Sequence, residues 1–294
     1  MRHPLLSGFS LCLMLALGGC QASLPPLPAW QSSDGLTHAE LGHIIDLASG
    51  QAISPEQLVQ RLAGAPRVLV GEKHDNPDHH ALQLWLLRAL QGQRVQGSLL
   101  LEMLQPEQQP LVDKVQGQPV PADLPKALAW QDGWDWQLYG PIVHEALQQR
   151  VPLLAANLSP GEMRQAYRQP ASLTGERSNA PAVKAALLEQ VRAGHCGMLP
   201  ENQLPAMLAV QQQRDRRMAE RLLSAPQPAL LFAGAYHVRK DLGIPLHLAD
   251  LGASGESKVL LLAEVGEQVE PGEADYVWYT AATPEQDYCA QFRQ

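Results

Sequence analysis

One stretch of the chain, residues 67–80, places proton-active side chains directly after an apolar run. It opens with Arg-Val-Leu-Val, which is typical of a buried parallel strand. Gly71, Glu72 and His74 follow at once, and Pro77 then occupies the first position expected of a helix. In open α/β sheets, ligands bind at the edge where strands end and helices begin. The stretch therefore predicts an α/β fold with a site at that edge.

The same arrangement returns far downstream, where the apolar residues 229–233 precede Gly234 and His237. A third apolar segment, residues 98–101, ends on Glu102. One Gly-x-x-His sequence alone is a weak signal, but two that follow buried strands indicate a shared site. The polar side chains expected to converge there are Glu72, His74, Glu102 and His237.

Strand and helix patterns alternate along the chain, which predicts a mostly parallel sheet flanked by helices. The predicted strands are residues 67–70, 98–102, 151–156, 229–233, 258–265 and 276–280. The main predicted helices are residues 53–63, 77–91, 182–193 and 204–223. Because residues 160–225 carry few strand signals, we expect a small helical subdomain there, between residues 36–159 and 226–294 of the α/β domain.

Composition narrows the class of protein. The 294 residues are 45% hydrophobic, which is enough for one large α/β domain with an insertion. The formal net charge of −8 argues against a nucleic-acid partner, because phosphate binding requires a basic surface.

The amino terminus predicts export and anchoring. Arg2 and His3 precede an apolar stretch, residues 5–17, that is too short to span a membrane. It leads into Leu-Gly-Gly-Cys20, which looks like a bacterial lipobox. We expect residues 1–19 to be a signal peptide, Cys20 to be lipidated and residues 20–35 to form a Pro-rich linker. The alternative is an ordinary signal peptide that happens to contain this cysteine.

The residue after Cys20 is glutamine rather than the aspartate that favours inner-membrane retention, so we expect a periplasm-facing outer-membrane location. Cys12 would be removed and Cys20 acylated, which leaves Cys196 and Cys289 in an oxidising compartment. We predict a disulfide between this pair. Two free, partly buried thiols are the alternative.

Neutral histidine and ionised glutamate are the usual protein ligands of Zn²⁺, Mn²⁺ or Fe²⁺. The four side chains expected at the sheet edge could therefore hold a metal, although no H-E-x-x-H or C-x-x-C pattern is present. A Glu–His pair could also activate water for hydrolysis. The plain alternative for each histidine is a buried, hydrogen-bonded core group.

Haem is another candidate ligand. A haem site needs an axial ligand, an apolar slot and donors for the propionates. Tyr236, His237 and Arg239 supply these polar parts within four residues, and His79 and His80 could add more. A local aromatic cluster, residues 130–139, ends on Tyr139. It either wedges a helix against the sheet or forms an apolar wall for a flat ligand. Covalent attachment is excluded because C-x-x-C-H is absent.

Three arginines recur at helical spacing in the predicted insert and would share one face. They are Arg214, Arg217 and Arg221. Such a row is usually a solvated face, but it could pair with the carboxylates of a ligand.

Several motifs together resemble the ChaN family of haem-binding lipoproteins. They are Gly71-Glu-Lys-His-Asp-Asn-Pro-Asp-His-His80, Leu101-Glu102, His195-Cys-Gly-Met-Leu-Pro200, Gln213-Arg-Asp-Arg-Arg-Met-Ala219 and Gly234-Ala-Tyr-His-Val-Arg-Lys-Asp-Leu-Gly-Ile-Pro245. The family is similar in these motifs to a wider superfamily with erythromycin esterases and Tiki/TraB metalloproteases.

The resemblance implies a parallel sheet with a small helical domain, and haem binding at the outer membrane for haem and iron uptake. It also implies a homodimer that holds haem between subunits, with a tyrosine on the iron and a histidine near the propionates. The tyrosine candidates are Tyr236, Tyr139 and Tyr167. An outer-membrane haem receptor is a possible partner.

Two rival functions remain at this point. The wider superfamily suggests a metal-dependent hydrolase with Zn or Mn that uses Glu72, His74, Glu102 and His237 as catalytic residues. A lipoprotein that only docks a receptor is the third possibility, and no sequence feature favours it.

Overall fold

The computed structural model of the chain describes residues 23–253 and 257–290. Within them, one eight-stranded sheet is surrounded by helices. The strands are β1 (Ile44–Asp46), β2 (Gln51–Ile53), β3 (Arg67–Glu72), β4 (Ser98–Leu101), β5 (Leu153–Ala155), β6 (Ala229–Gly234), β7 (Ser257–Glu264) and β8 (Tyr276–Thr280). The α-helices are α1 (Pro55–Ala63), α2 (Pro77–Gln91), α3 (Gln109–Val115), α4 (Leu124–Ala127), α5 (Trp136–Gln148), α6 (Pro160–Arg168), α7 (Pro181–Gly194), α8 (Leu204–Ser224), α9 (Ala235–Val238) and α10 (Ile244–Asp250).

The strand order across the sheet is β2-β1-β8-β7-β3-β6-β4-β5. The strands from β8 to β5 pair in parallel, whereas β1 is antiparallel to both of its neighbours. The predicted fold class is therefore confirmed. The central strands β3 and β6 are buried along their whole length, which explains why both read as continuous apolar runs.

The sheet separates two apolar layers, because successive strand residues point to opposite faces. On one face, Phe232 of β6 packs in the same cluster as Trp85 of α2 and Tyr139 of α5. On the other face, Leu231 packs in a cluster with Met218 of α8 and Leu248 of α10. No helix in the described part of the chain is long and apolar enough to cross a membrane.

The helix starts follow local chemistry. The Asn76 side chain caps α2 by accepting hydrogen bonds from the backbone of Asp78 and His79. Ser54 caps α1, whose first residue is Pro55, and Ile53 of the helix predicted over residues 53–63 belongs to β2. The β1–β2 hairpin was missed because strands of three residues are too short to show alternation.

The predicted Pro-rich linker packs on the domain over its described part. We call residues 23–34 the amino-terminal strap. The Trp85 indole donates to the Pro25 carbonyl at 2.9 Å, and the Ser32 amide donates to the Asp78 carboxylate at 3.0 Å. The strap side chains that pack against the core are Leu24 and Trp30. The predicted signal peptide and Cys20 lie outside the described residues.

The segment predicted as a helical insert, residues 160–225, contains α6, α7 and α8 and no described strand. The carboxyl-terminal half of α8 shares the core of the sheet through Met218 and Leu222. A separate small apolar cluster packs Leu187 and Leu208 of the α7–α8 hairpin against Leu242.

The turn after α7 is tied to the carboxyl-terminal tail by a disulfide. Cys196 and Cys289 are joined, with their Cα atoms 5.7 Å apart and a sequence separation of 93. The structure thus contains the predicted pairing rather than two free thiols.

Candidate functional site

Three neighbouring strands bring the predicted polar residues to one edge of the sheet. Glu72 at the end of β3 lies opposite Gly234 at the end of β6. The next strand, β4, pairs with the other side of β6 and leads directly into Glu102. The register of the sheet therefore places both Gly-x-x-His sequences and this glutamate side by side.

Glu72 orients His74. Its buried carboxylate lies 2.6 Å from His74 Nδ1 and accepts a hydrogen bond of 3.1 Å from the Tyr139 hydroxyl. Burial acts to lower the pKa of His74, but the hydrogen bond and charge of Glu72 raise it above its ordinary value. The His74 side chain is 45% exposed and stacks edge-on against Trp134 at 4.9 Å. With Nδ1 engaged, the second ring nitrogen is left beside Gly234.

Glu102 is fully buried beneath the same edge. It accepts a 2.7 Å hydrogen bond from the Gly234 amide and is paired with the Arg214 guanidinium. His237 Nε2 lies 3.4 Å from Glu102 Oε1, the oxygen that also contacts Arg214. Burial alone would raise the pKa of Glu102, but the charges of His237 and Arg214 hold it well below its usual range. This side chain is therefore a carboxylate at neutral pH.

His237 lies between two carboxylates and is only 5% exposed. Its Nδ1 atom is 2.5 Å from Asp215, and its Nε2 atom faces Glu102. Burial acts to lower the pKa of His237, but Glu102 and Asp215 raise it to about 9. The ring is consequently an imidazolium at neutral pH. Together with Arg214, it balances the two buried negative charges.

The predicted metal set is not supported. Among the residues that the structure describes, no group of three or more His, Cys, Asp or Glu side chains could hold a metal ion. Glu102 is already paired with Arg214 and His237. A protonated imidazole has no free lone pair, so His237 cannot act as a ligand in this state.

His79 and His80 were predicted to contact haem, but both lie in the interior. His79 accepts from the Lys73 amide at 2.9 Å and contacts the Thr280 hydroxyl at 2.9 Å. Burial lowers the pKa of His79 to about 3, so it is neutral. His80 donates to the His74 carbonyl at 3.0 Å. These two rings hold the loop that carries His74.

Tyr139 was another predicted haem contact, and its side chain is 1% exposed. Burial, followed by the charge of Glu72, raises the pKa of the Tyr139 phenol, so it stays protonated. Its ring packs edge-on against His80 at 4.4 Å. The aromatic cluster therefore packs α5 against the sheet, and Tyr139 supports Glu72 instead of reaching a ligand.

The network of Glu72, His74, Glu102, Asp215 and His237 forms the floor of the site. An open cleft of about 640 Å³ lies above it. Residues 72–74 and 234–237, from the two Gly-x-x-His sequences, line it together with Gln190 and Gln211 from the α7–α8 hairpin. The apolar part of its wall consists of Ala235, Leu261, Leu262, Ala263 and Val269.

Tyr236 is the tyrosine that lines this cleft, and it is 54% exposed. No described residue forms a hydrogen bond with its hydroxyl. Arg239 interacts electrostatically with Tyr236, but its guanidinium already contacts Asp241 at 2.7 Å and Glu273 at 3.0 Å. Arg239 was predicted as a propionate donor, and these two carboxylates would compete for it.

The arginine row on α8 faces the protein, not solvent or a ligand. Arg214 pairs with Glu102, Arg217 pairs with Glu162, and Arg221 donates to the Ala155 carbonyl at 3.0 Å. Helical spacing alone could not distinguish these partners from solvent.

Sequence reasoning missed one member of the floor, Asp215. It is fully buried on α8 and orients His237 through Nδ1. The available signal was its position within Gln-Arg-Asp-Arg-Arg, where an acid interrupts a basic run. A buried acid on a polar helix is visible only when the facing element is known.

The fold and site define an α/β ligand-binding protein with an apolar-walled cleft over a buried network of acids and bases. Comparison with known families makes the class specific. The chain belongs to the family described as "Haem-binding uptake, Tiki superfamily, ChaN", whose sequence profile matches residues 58–248.

Among solved structures, ChaN of Campylobacter jejuni is similar at 32% identity, with a TM-score of 0.75. The match covers 80% of this chain and 95% of that chain, and that structure is described as showing cofacial haem binding. No curated protein matches the chain significantly.

More distant structures resemble the chain only weakly. A Bacillus cereus protein matches at 12% identity and a TM-score of 0.45, covering 79% of this chain and 76% of that chain. The erythromycin esterase EreC matches at 13% identity and a TM-score of 0.45, and the match covers 81% of this chain and 82% of that chain.

Proposed function

We propose that the protein binds haem in the cleft at the carboxyl edge of the sheet, with the Tyr236 phenolate on the iron. The observation that carries this is the position of Tyr236: a half-exposed phenol, without a described hydrogen-bond partner, on an apolar wall. Haem requires such a pairing of axial ligand and apolar slot.

Carboxylates in the cleft affect which residues can hold the propionates of a haem. Arg239 is held by Asp241 and Glu273, and Glu267 also lines the cleft. Because these carboxylates would repel propionates and already engage Arg239, we do not expect Arg239 to hold the propionates. When bound, haem would supply a ferric iron, and Tyr236 and the apolar wall of the cleft would hold it.

A hemin titration followed by visible absorption tests the proposal. The soluble form, without residues 1–20, should give a saturable Soret band with the features of tyrosine ligation. Tyr236→Phe should weaken binding and remove those features, because the ring remains but the ligand oxygen is lost. Tyr167→Phe, which alters a partly buried tyrosine on α6 outside the cleft, is the matched control. Equal spectra for Tyr236→Phe and the wild type would refute Tyr236 as the ligand.

We further propose that the mature protein is lipidated at Cys20 and faces the periplasm from the outer membrane, where it takes part in haem and iron uptake. The Leu-Gly-Gly-Cys sequence and the following glutamine support this location. A Cys20→Ser variant should be lost from the membrane fraction. Unchanged membrane association would count against the lipid anchor. An outer-membrane haem receptor is the proposed partner.

A homodimer is the proposed haem-bound state. The cleft is open to solvent, and a second copy of the chain could cover a haem bound there. The cofacial haem binding described for the C. jejuni relative supports the same arrangement. Sedimentation analysis with and without hemin should show a haem-dependent dimer, and a haem-loaded monomer would refute it.

The geometry of the floor favours a second candidate function, hydrolysis of a small ester without a metal. Glu72 holds His74 Nδ1, so the other ring nitrogen could accept a proton from a water that attacks an acyl carbon. Hydrolysis of p-nitrophenyl acetate should then disappear in His74→Gln. The exposed cleft residue Gln268 provides the control variant, Gln268→Ala. Equal rates for wild type and His74→Gln would exclude this function.

A further inference from the structure

The amino-terminal strap follows α2 in the opposite direction. Ser23 lines a surface cavity together with Gln93, which lies just beyond the carboxyl end of α2. Further along, the Pro25 carbonyl contacts Trp85 in the middle of the helix, and the Ser32 amide contacts Asp78 at its amino end. The strap therefore begins at the amino edge of the sheet and ends near the carboxyl edge.

The site lies at the other end of the same helix. The amino end of α2 follows directly from His74, and β4 begins a few residues after its carboxyl end. At the standard helical rise, the 15 residues of α2 span roughly 22 Å. Ser23 and the cleft are thus separated by about the full length of the helix.

The reach of an anchor at Cys20 is short. Three peptide units connect Cys20 to Ser23, and a fully extended chain spans at most about 3.6 Å per residue, or roughly 11 Å in all. The strap is fixed at this point, because Leu24 packs against the core. An acyl chain on Cys20 would consequently enter the membrane close to Ser23 and Gln93.

Two exposed apolar side chains lie near that end. Leu27 is 51% exposed and lines the cavity beside Ser23. Val95 is 90% exposed in the loop between α2 and β4. Apolar side chains at the point of lipid attachment add to membrane affinity, whereas the same side chains at a free surface would only contact water.

We propose that the anchored protein holds the amino edge of its sheet against the lipid surface and directs the cleft away from the membrane. The inference rests on the proposed lipidation of Cys20. The ligand cleft then opens towards soluble partners and a second copy of the chain, and lipids have no access to it. The partner of the amino edge is the lipid headgroup layer itself.

Energy transfer from single fluorophores to acceptor-labelled headgroups tests this orientation in the lipidated mature protein, residues 20–294, reconstituted in vesicles. One label goes on Val95→Cys at the amino edge, and the other on Gln268→Cys at the rim of the cleft. Labelling stays specific because Cys196 and Cys289 are joined in a disulfide and Cys20 is acylated. Transfer should be several times stronger from position 95 than from position 268.

The outcomes are distinct. Mass spectrometry first establishes the acyl group on Cys20, and its absence would overturn the anchor and the orientation together. Acylated protein with equal transfer from both positions, or stronger transfer from position 268, would overturn the orientation alone. As a second readout, Val95→Asp and Leu27→Asp should weaken vesicle binding of the acylated protein, whereas Gln268→Asp should not.

Discussion

At the scale of single residues, three histidines close in space have three different states. His79 is buried and neutral, His74 is half exposed and held by Glu72, and His237 is a buried imidazolium. The same side chain titrates differently because each position combines burial and neighbouring charge in a different way.

The raised pKa of His237 predicts a loss of stability at alkaline pH. Its folded-state value of about 9 lies above the ordinary 6.5, so its stabilisation is complete below pH 6.5 and is lost as the pH rises through 9. At about 1.36 kcal/mol per pKa unit, the contribution is at most about 3 kcal/mol. Thermal unfolding between pH 6 and 10 should show the decline. His237→Gln should flatten it, and a full decline in that variant would assign the effect elsewhere.

The two glycines of the Gly-x-x-His sequences predict different consequences of substitution. A Cβ at Gly71 would lie 2.5 Å from Val238 Cγ2 and 2.9 Å from the backbone of Ala235. Gly71→Ala should therefore lower the free energy of unfolding by roughly 1–3 kcal/mol or more. At Gly234 the nearest atom, at 2.9 Å, belongs to the movable ring of His74.

Gly234→Ala should consequently displace His74 at a smaller cost in stability, which urea denaturation of both variants would measure. Gly272→Ala is the control, because no atom outside its chain neighbours lies within 4 Å of the added Cβ. Equal destabilisation by the substitutions at Gly71 and Gly234 would contradict this distinction.

At the scale of elements, the α7–α8 hairpin forms one wall of the cleft while its tip is tied to the tail. Gln190 and Gln211 line the cleft from this hairpin. The tail also contacts the site loop, where Thr283 accepts from Lys73 at 2.7 Å. The disulfide joins the hairpin to the tail, and the tail in turn contacts the loop that carries His74.

Removing the disulfide should loosen this wall. Because the cysteines are separated by 93 positions in sequence, the double substitution of Cys196→Ser and Cys289→Ser should lower the free energy of unfolding by roughly 2–4 kcal/mol. Urea denaturation measures the loss, and limited proteolysis should cut first near the hairpin tip. Reductant should reproduce both effects in the wild type and change nothing in the double variant. Unchanged stability would show that packing alone holds the hairpin.

At the scale of the whole molecule, the amino-terminal strap is part of the folded domain. It supplies two backbone donors, from Gln31 and Ser32, to the buried carboxylate of Asp78. A protein that begins at residue 36 leaves this carboxylate without those donors. It should be less stable by about 3 kcal/mol than a protein that begins at residue 23. Thermal unfolding compares the two forms, and identical midpoints would show that the strap is dispensable.

Much of the sheet could be predicted from the sequence. Strands buried on both faces, such as β3 and β6, read as apolar runs, and the caps of α1 and α2 are visible as Ser54-Pro55 and Asn76-Pro77. The three-residue strands of the β1–β2 hairpin and the packed strap carried no such signal. Their positions depend on contacts with residues more than 40 positions away, as between the strap and Asp78.

The sequence by itself determined the local chemistry: glycine, glutamate and histidine directly after buried strands, the cysteines available for a disulfide, and Tyr236 beside His237. Tertiary structure decided which of these groups meet. It paired His237 with Asp215 and Glu102, buried His79 and Tyr139, and left Tyr236 on the wall of the cleft. The physical reason is that protonation state and ligand access depend on burial and neighbouring charge, and both are set by elements distant in sequence.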